Sequence, residues 1–172
     1  MSNRRPAIIP ALFLILLGAW LLAQNLGVPL PGWNAAWPGL LVFFGLAFVV
    51  QFFLGGRHDS GLVFVGVAAA LLGAFFFAFT LGYYRWTDMS RYWPIFVLIG
   101  SAAFFGQWLA QPRDRGLLVP AFLALVVGGV ALPITLQAVN PALAELVIKF
   151  WPLVLVLLGL GLLLSVVQRR NR

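Results

Sequence analysis

Three polar side chains interrupt otherwise apolar stretches of this sequence: Gln51, Gln107 and Ser165. Each stands fourteen residues after a tryptophan (Trp37, Trp93 and Trp151), which is ~21 Å of helix at 1.5 Å per residue. Hydrogen-bonding groups at one depth could line a small site as a polar ring. The more ordinary reading is glue between helices, worth only ~0.6 kcal/mol each, or snorkelling toward the inner interface. Stronger chemistry has few candidates. The acids Asp59, Asp88, Asp114 and Glu145 all fall between apolar runs, whereas pumps and transporters set ionisable groups inside their spans. His58 is the one histidine and there is no cysteine. A thiolate site, a disulfide and a two-histidine metal or haem site are therefore excluded. His58 reads as a solvated turn residue, with Asp59 or Ser60, and later Asp114, as helix N-caps. No catalytic, metal or cofactor site is expected, and the chain reads as non-enzymatic.

The elements that carry these residues follow from composition. The 172 residues are 63% hydrophobic and 9% charged, with a mean hydropathy of +1.03; soluble domains average ~25% charged. Apolar runs lie at about Ala7–Gln24, Pro38–Leu54, Gly61–Gly82, Pro94–Ala110, Leu117–Val139 and Pro152–Val167, and none contains Asp, Glu, Lys, Arg or His. Such runs read as transmembrane helices. The predicted fold is an all-α membrane protein of six transmembrane helices, one transmembrane domain over residues 1–172. The net charge of +7 and pI near 11.4 do not point to nucleic acid, because the basic residues sit in short clusters between spans. Arg4, Arg5, Arg57, Arg113, Arg115, Arg169, Arg170 and Arg172 fall on one side, and Arg85, Arg91 and Lys149 on the other. Basic residues mark the cytoplasmic side, so both termini are expected inside. Arg4-Arg5 before an apolar run also resembles a secretory or twin-arginine signal. Without an A-x-A site, and with five further spans, that helix is expected to be retained.

The dipeptide Trp-Pro occurs three times, at Trp37-Pro38, Trp93-Pro94 and Trp151-Pro152. Other positions keep step with it: Gly45, Gly100 and Gly159 stand seven or eight residues later. Asn25-Leu26-Gly27 and Thr80-Leu81-Gly82 end the preceding helix, while the third unit departs and ends in Asn140-Pro141. A fixed period marks a repeat, here with units of about 1–56, 57–112 and 113–172. Trp favours the headgroup level and Pro the first helical turn, so Trp-Pro marks re-entry from outside. Each unit crosses twice, which makes the three helical hairpins parallel in orientation, unlike the inverted repeats of many transporters.

The apolar helix ending in Asn25-Leu26-Gly27, the short loop, Trp37-Pro38 and a second helix together resemble the LiaI/LiaF-like transmembrane region of bacterial envelope-stress proteins. Three such copies cover nearly the whole chain. The resemblance implies a small multi-pass protein of the bacterial inner membrane that acts through protein partners. LiaF-type proteins add a soluble C-terminal domain and restrain a partner histidine kinase. With four residues after Gln168, this sequence is expected to lack that domain.

Outside the spans, Leu143, Leu146, Val147 and Phe150 share one face of Pro141–Trp151, with Glu145 and Lys149 opposite. This spacing predicts a short amphipathic helix at the outer interface. Trp86, Met89, Tyr92 and Trp93 repeat the arrangement between Arg85 and Arg91. Trp86, Tyr92 and Phe150 are candidate contacts for headgroups or for a partner. Arg169, Arg170 and Arg172 suit anionic lipid. Small residues at four-residue spacing, Gly66, Ala70, Ala74 and Ala78, then Ala102, Gly106 and Ala110, allow close helix approach within the chain or between copies. Phe75, Phe76, Phe77 and Phe79 read as lipid-facing and core packing. Three roles fit: a regulatory or scaffolding partner of another membrane protein, a small transporter or lipid-handling protein with an intramembrane cavity, or an accessory subunit of a larger complex. Orientation is directly testable. With single cysteines in place of Ser60, Ser90 and Asn171, a membrane-impermeant thiol reagent on intact cells should label position 90 alone. Labelling at 60 or 171 would reverse the topology.

Overall fold

The computed structural model describes residues 8–28, 30, 32–55 and 59–140, together with 142, 145, 146, 149 and 150. Among them every regular element is helical. The α-helices are α1 (Ile8–Asn25), α2 (Trp33–Ala36), α3 (Pro38–Leu54), α4 (Gly61–Thr80), α5 (Trp93–Ala110) and α6 (Leu118–Thr135). Two 3-10 turns, Trp86–Arg91 and Arg115–Leu117, lead into α5 and α6. Four helical stretches are long and apolar enough to cross a membrane: Trp33–Leu54, Gly61–Thr80, Trp93–Ala110 and Arg115–Thr135. The sixth apolar run, 152–167, lies outside the described residues.

Local chemistry sets where these helices begin and end. Pro38 and Pro94 occupy the first turns of α3 and α5 and are fully buried; a missing N–H costs nothing there. At the opposite end, Asp59 accepts a hydrogen bond from Gly61 N (2.9 Å) and Asp114 one from Gly116 N (3.1 Å). Ser60 holds the N-cap position of α4 while Asp59 supplies the side-chain bond, and Asp114 caps the 3-10 turn that precedes α6. Gly27 and Gly82 take positive φ, 76° and 83°, as a left-handed helix end requires. Gln137 does the same at 55°. The third unit thus does not end in Asn140-Pro141. Its first helix, α6, ends in Thr135-Leu136-Gln137, in step with Thr80-Leu81-Gly82, and Thr80 and Thr135 each donate back to a carbonyl three residues earlier. Glutamine is a poor left-handed residue, so its type hid the position.

Neighbouring helices run antiparallel, and at their glycines the backbone and side chains of the facing helix come close. A Cβ added to Gly45 on α3 would run into Ala70 N and stand 2.6 Å from Gly66 O on α4; one on Gly73 would stand 2.7 Å from Pro38 O. Between α5 and α6, the buried Ser101 hydroxyl donates to Ala121 O at 2.7 Å, and a Cβ on Gly128 would meet Pro94 O at 3.1 Å. Ser101 stands eight residues after Trp93, as Gly45 does after Trp37. Gly100, the expected counterpart, faces open space. The small-residue stripe also shifts. Gly66 and Ala70 meet α3, but Ala74 is exposed and Gly73 takes the next contact. On α5, Ala102 is exposed while Ala103 is fully buried. A four-residue step overshoots the 3.6-residue turn, so the stripe drifts off the contact face.

The close pairs α3–α4 and α5–α6 join helices of successive sequence units. The α4–α5 seam is filled by larger side chains, with ring contacts Phe64–Phe104 (4.7 Å) and Phe75–Phe96 (5.1 Å). Helix α1 meets its neighbours through Phe13–Phe43, Phe13–Phe44 and Trp20–Trp33. Gly45→Ala should lower the thermal midpoint of the detergent-solubilised protein, because backbone meets the new methyl group. Gly100→Ala should leave it unchanged or raise it, since Ala is favoured over Gly by ~1 kcal/mol in a helix. Equal losses at the two positions would show that α3 and α4 do not touch at Gly45.

Candidate functional site

The end of the bundle where the Trp-Pro helices begin carries a dense aromatic surface. Its floor is Phe75 and Phe79 of α4 with Ile99 of α5, all buried. Phe75 and Phe79 are one helical turn apart, with ring centroids 5.1 Å apart in an edge arrangement. Phe76, Met89, Tyr92 and Phe96 pack around this floor. All four members of the phenylalanine block are buried or half-buried.

The 3-10 turn lays further rings on the floor. Trp86 stands 5.2 Å from Phe79 and stacks on Phe76 at 6.3 Å, while Tyr92 meets Phe79 edge-on at 5.8 Å. Tyr84 contacts Tyr92 at 4.8 Å, and Trp37 reaches Phe76 from the α2–α3 junction at 5.1 Å. Trp37, Trp86 and Tyr92 thus converge on one α4 turn. Trp86 stays 52% exposed on this support, and Trp93 and Tyr83, at the ends of the same segment, are 46% and 79% exposed. Arg85 and Arg91 are exposed on either side. Rigid aromatic area with cationic flanks can take apolar groups, ring faces or anionic headgroups.

The polar ring is distributed differently. Gln107 is half-buried and donates from Nε2 to Ser60 Oγ at 3.3 Å, joining α5 to the start of α4. Gln51 is exposed near the end of α3. Ser165, Trp151, Pro152, Arg169, Arg170 and Arg172 lie outside the described residues, as does His58. In the segment before Trp151, Ala142, Glu145, Leu146, Lys149 and Phe150 are helical and exposed. Among the described residues no three His, Asp or Glu side chains gather.

Two features were not anticipated. Helix α2 gives the first unit its own lead-in, with Trp33 against Trp20 (5.7 Å); the four-residue spacing of Trp33 and Trp37 was the available signal. An apolar cleft of about 300 Å³ also opens between α1 and α3, lined by Phe13, Leu17, Trp20, Trp33 and Phe43 among others. No family model, no curated protein and no solved structure matches this chain.

The floor should matter more to stability than the rings above it. Phe79→Ala should destabilise the solubilised protein by up to the ~3–5 kcal/mol of a buried Phe truncation. Trp86→Ala should cost about 1 kcal/mol, the scale of a ring pair. Thermal unfolding of the two variants checks this, and the reverse order would place the anchor at Trp86.

Proposed function

We propose that this chain is a non-enzymatic integral membrane protein that regulates or scaffolds another membrane protein. On this reading it has six spans in three parallel hairpin repeats, with both termini at the cytoplasmic face of a bacterial inner membrane. The observation that carries the role is the aromatic surface. Trp86 is exposed while it lies on Phe76 and the buried Phe79, and its neighbours in the chain Tyr83 and Trp93 are exposed as well. Trp, Tyr and Arg on a rigid support are the side chains that dominate protein interfaces. Equivalent helix ends at Gly27, Gly82 and Gln137, and equivalent contacts at Gly73 and Gly128, support three copies. The distribution of arginine supports the orientation. The resemblance to the LiaI/LiaF-like region supports a place in cell-envelope stress signalling.

A second reading, a lipid-handling protein or small transporter, is favoured by the cleft between α1 and α3. The two separate experimentally. Affinity-tagged protein should lose its co-purifying membrane partner when Trp86 and Trp93 are both changed to Ala. It should retain the partner when Gln51, Gln107 and Ser165 are all changed to Leu, and when the cleft is filled by Leu17→Trp. Membrane insertion of each variant is checked first. Loss of activity in the cleft-filled or triple-Leu variant, with the Trp double variant behaving as wild type, would overturn the partner role in favour of a cavity.

A further inference from the structure

The contacts that hold α3 to α4 and α5 to α6 share one register. Gly73 on α4 faces the Val42 side chain and the carbonyl of Pro38, and Gly128 on α6 faces the Leu98 side chain and the carbonyl of Pro94. Nearer the other end, Gly66 meets Gly45, and Ala121 accepts the Ser101 hydroxyl. The step from 73 to 128 and from 66 to 121 is 55 residues. The same step backwards leads to Gly18 and Ala11 on α1.

There the register holds, but no mate stands among the described residues. Gly18 has nothing within 4 Å of its Cβ position, and Ala11, Ile15 and Gly18 are all exposed. The other side of α1 is engaged as its counterpart in α4 is. Trp20, in step with Phe75, contacts Trp33 as Phe75 contacts Phe96, each a ring further along its own unit. Helix α1 therefore has one side occupied and the other open.

We propose that the open face of α1 seats the helix begun by Trp151-Pro152 of the same chain, in the register that joins α3 to α4 and α5 to α6. The inference rests on the reading of 152–167 as a sixth crossing. The required mate runs antiparallel to α1 and starts with a proline at the end where α1 finishes. Seven residues on it carries a small residue, as Gly45 follows Pro38 and Ser101 follows Pro94. Pro152 and Gly159 supply that pair. α6 finishes at the same end of the bundle as α1, and only residues 136–151 separate it from Pro152. Such a tether favours a segment of the same chain over a second copy, because linkage raises its effective concentration to the millimolar range. Seated there, the helix closes the row of helices into a ring of three equivalent tight pairs.

Cysteine pairs in the cysteine-free chain test this in native membranes. Val156 holds the place of Val42 and Leu98, whose side chains meet Gly73 and Gly128. Gly18→Cys with Val156→Cys should form an intramolecular disulfide on mild oxidation, leaving a monomer that no longer reacts with maleimide until reduced. Ala11→Cys with Leu163→Cys, in the places of Gly66 and Val49, should do the same and guards against misfolding of the first pair. Crosslinked dimers in place of monomers would assign the face to a second copy, and two reactive thiols in both pairs would leave it unseated; either result overturns the proposal. A cysteine at Asn171, probed from outside intact cells, tells the failures apart. If it is shielded while both pairs stay unlinked, the contact is wrong and six spans stand. If it is labelled, the sixth crossing itself fails.

Discussion

Four of these helices are apolar around their whole circumference, so burial alone cannot tell one face from another. The contact of backbones at Gly45 and Gly66 can. Where the surroundings are as apolar as the side chains, association depends on close packing and on the hydrogen bonds that closeness permits. A glycine pair brings α3 and α4 to a distance that no other residue type allows, and this fixes the rotation of both helices. Ser101 and Ala121 reach the same result by a different route, adding a hydroxyl-to-carbonyl bond where a second glycine pair is lacking.

Once those pairs are set, the seam between them must take the bulk. The side of α4 turned away from α3 carries Phe75 and Phe79, which fill the space toward Ile99 and Phe96. Small residues on one face and large ones on the other are therefore one arrangement. The aromatic surface above is its continuation past the helix end, where Trp86 and Tyr92 lie over rings already immobilised below. A site placed on such a floor costs little conformational entropy to use, because its support is already packed.

The helix ends are governed by chemistry of shorter range. Proline at a first turn, an aspartate two residues before a glycine, and a residue of positive φ after a last turn each satisfy or forgo backbone groups locally. They recur at nearly one offset, 55 residues for the aspartates and the residues of positive φ and 56 for the prolines. Gln137 shows how firmly the offset holds: it adopts the left-handed conformation although its side chain disfavours it.

Features that depend on residue type alone were legible in the sequence. Helix positions followed from uncharged apolar runs, the first turns of α3 and α5 from Trp-Pro, and two left-handed ends from glycine. The boundaries of α3, Pro38–Leu54, agree residue for residue. Rotation about the helix axes was not legible, because it depends on which small residue meets which backbone. Spacing therefore proposed Gly100 and Ala74 where the structure uses Ser101 and Gly73. Gln107 likewise faces Ser60 rather than Gln51, since a side chain's partner is decided by the crossing of α4 and α5 and not by its depth. One-dimensional spacing determines how far along a helix a residue lies. Only packing in three dimensions decides which way it points.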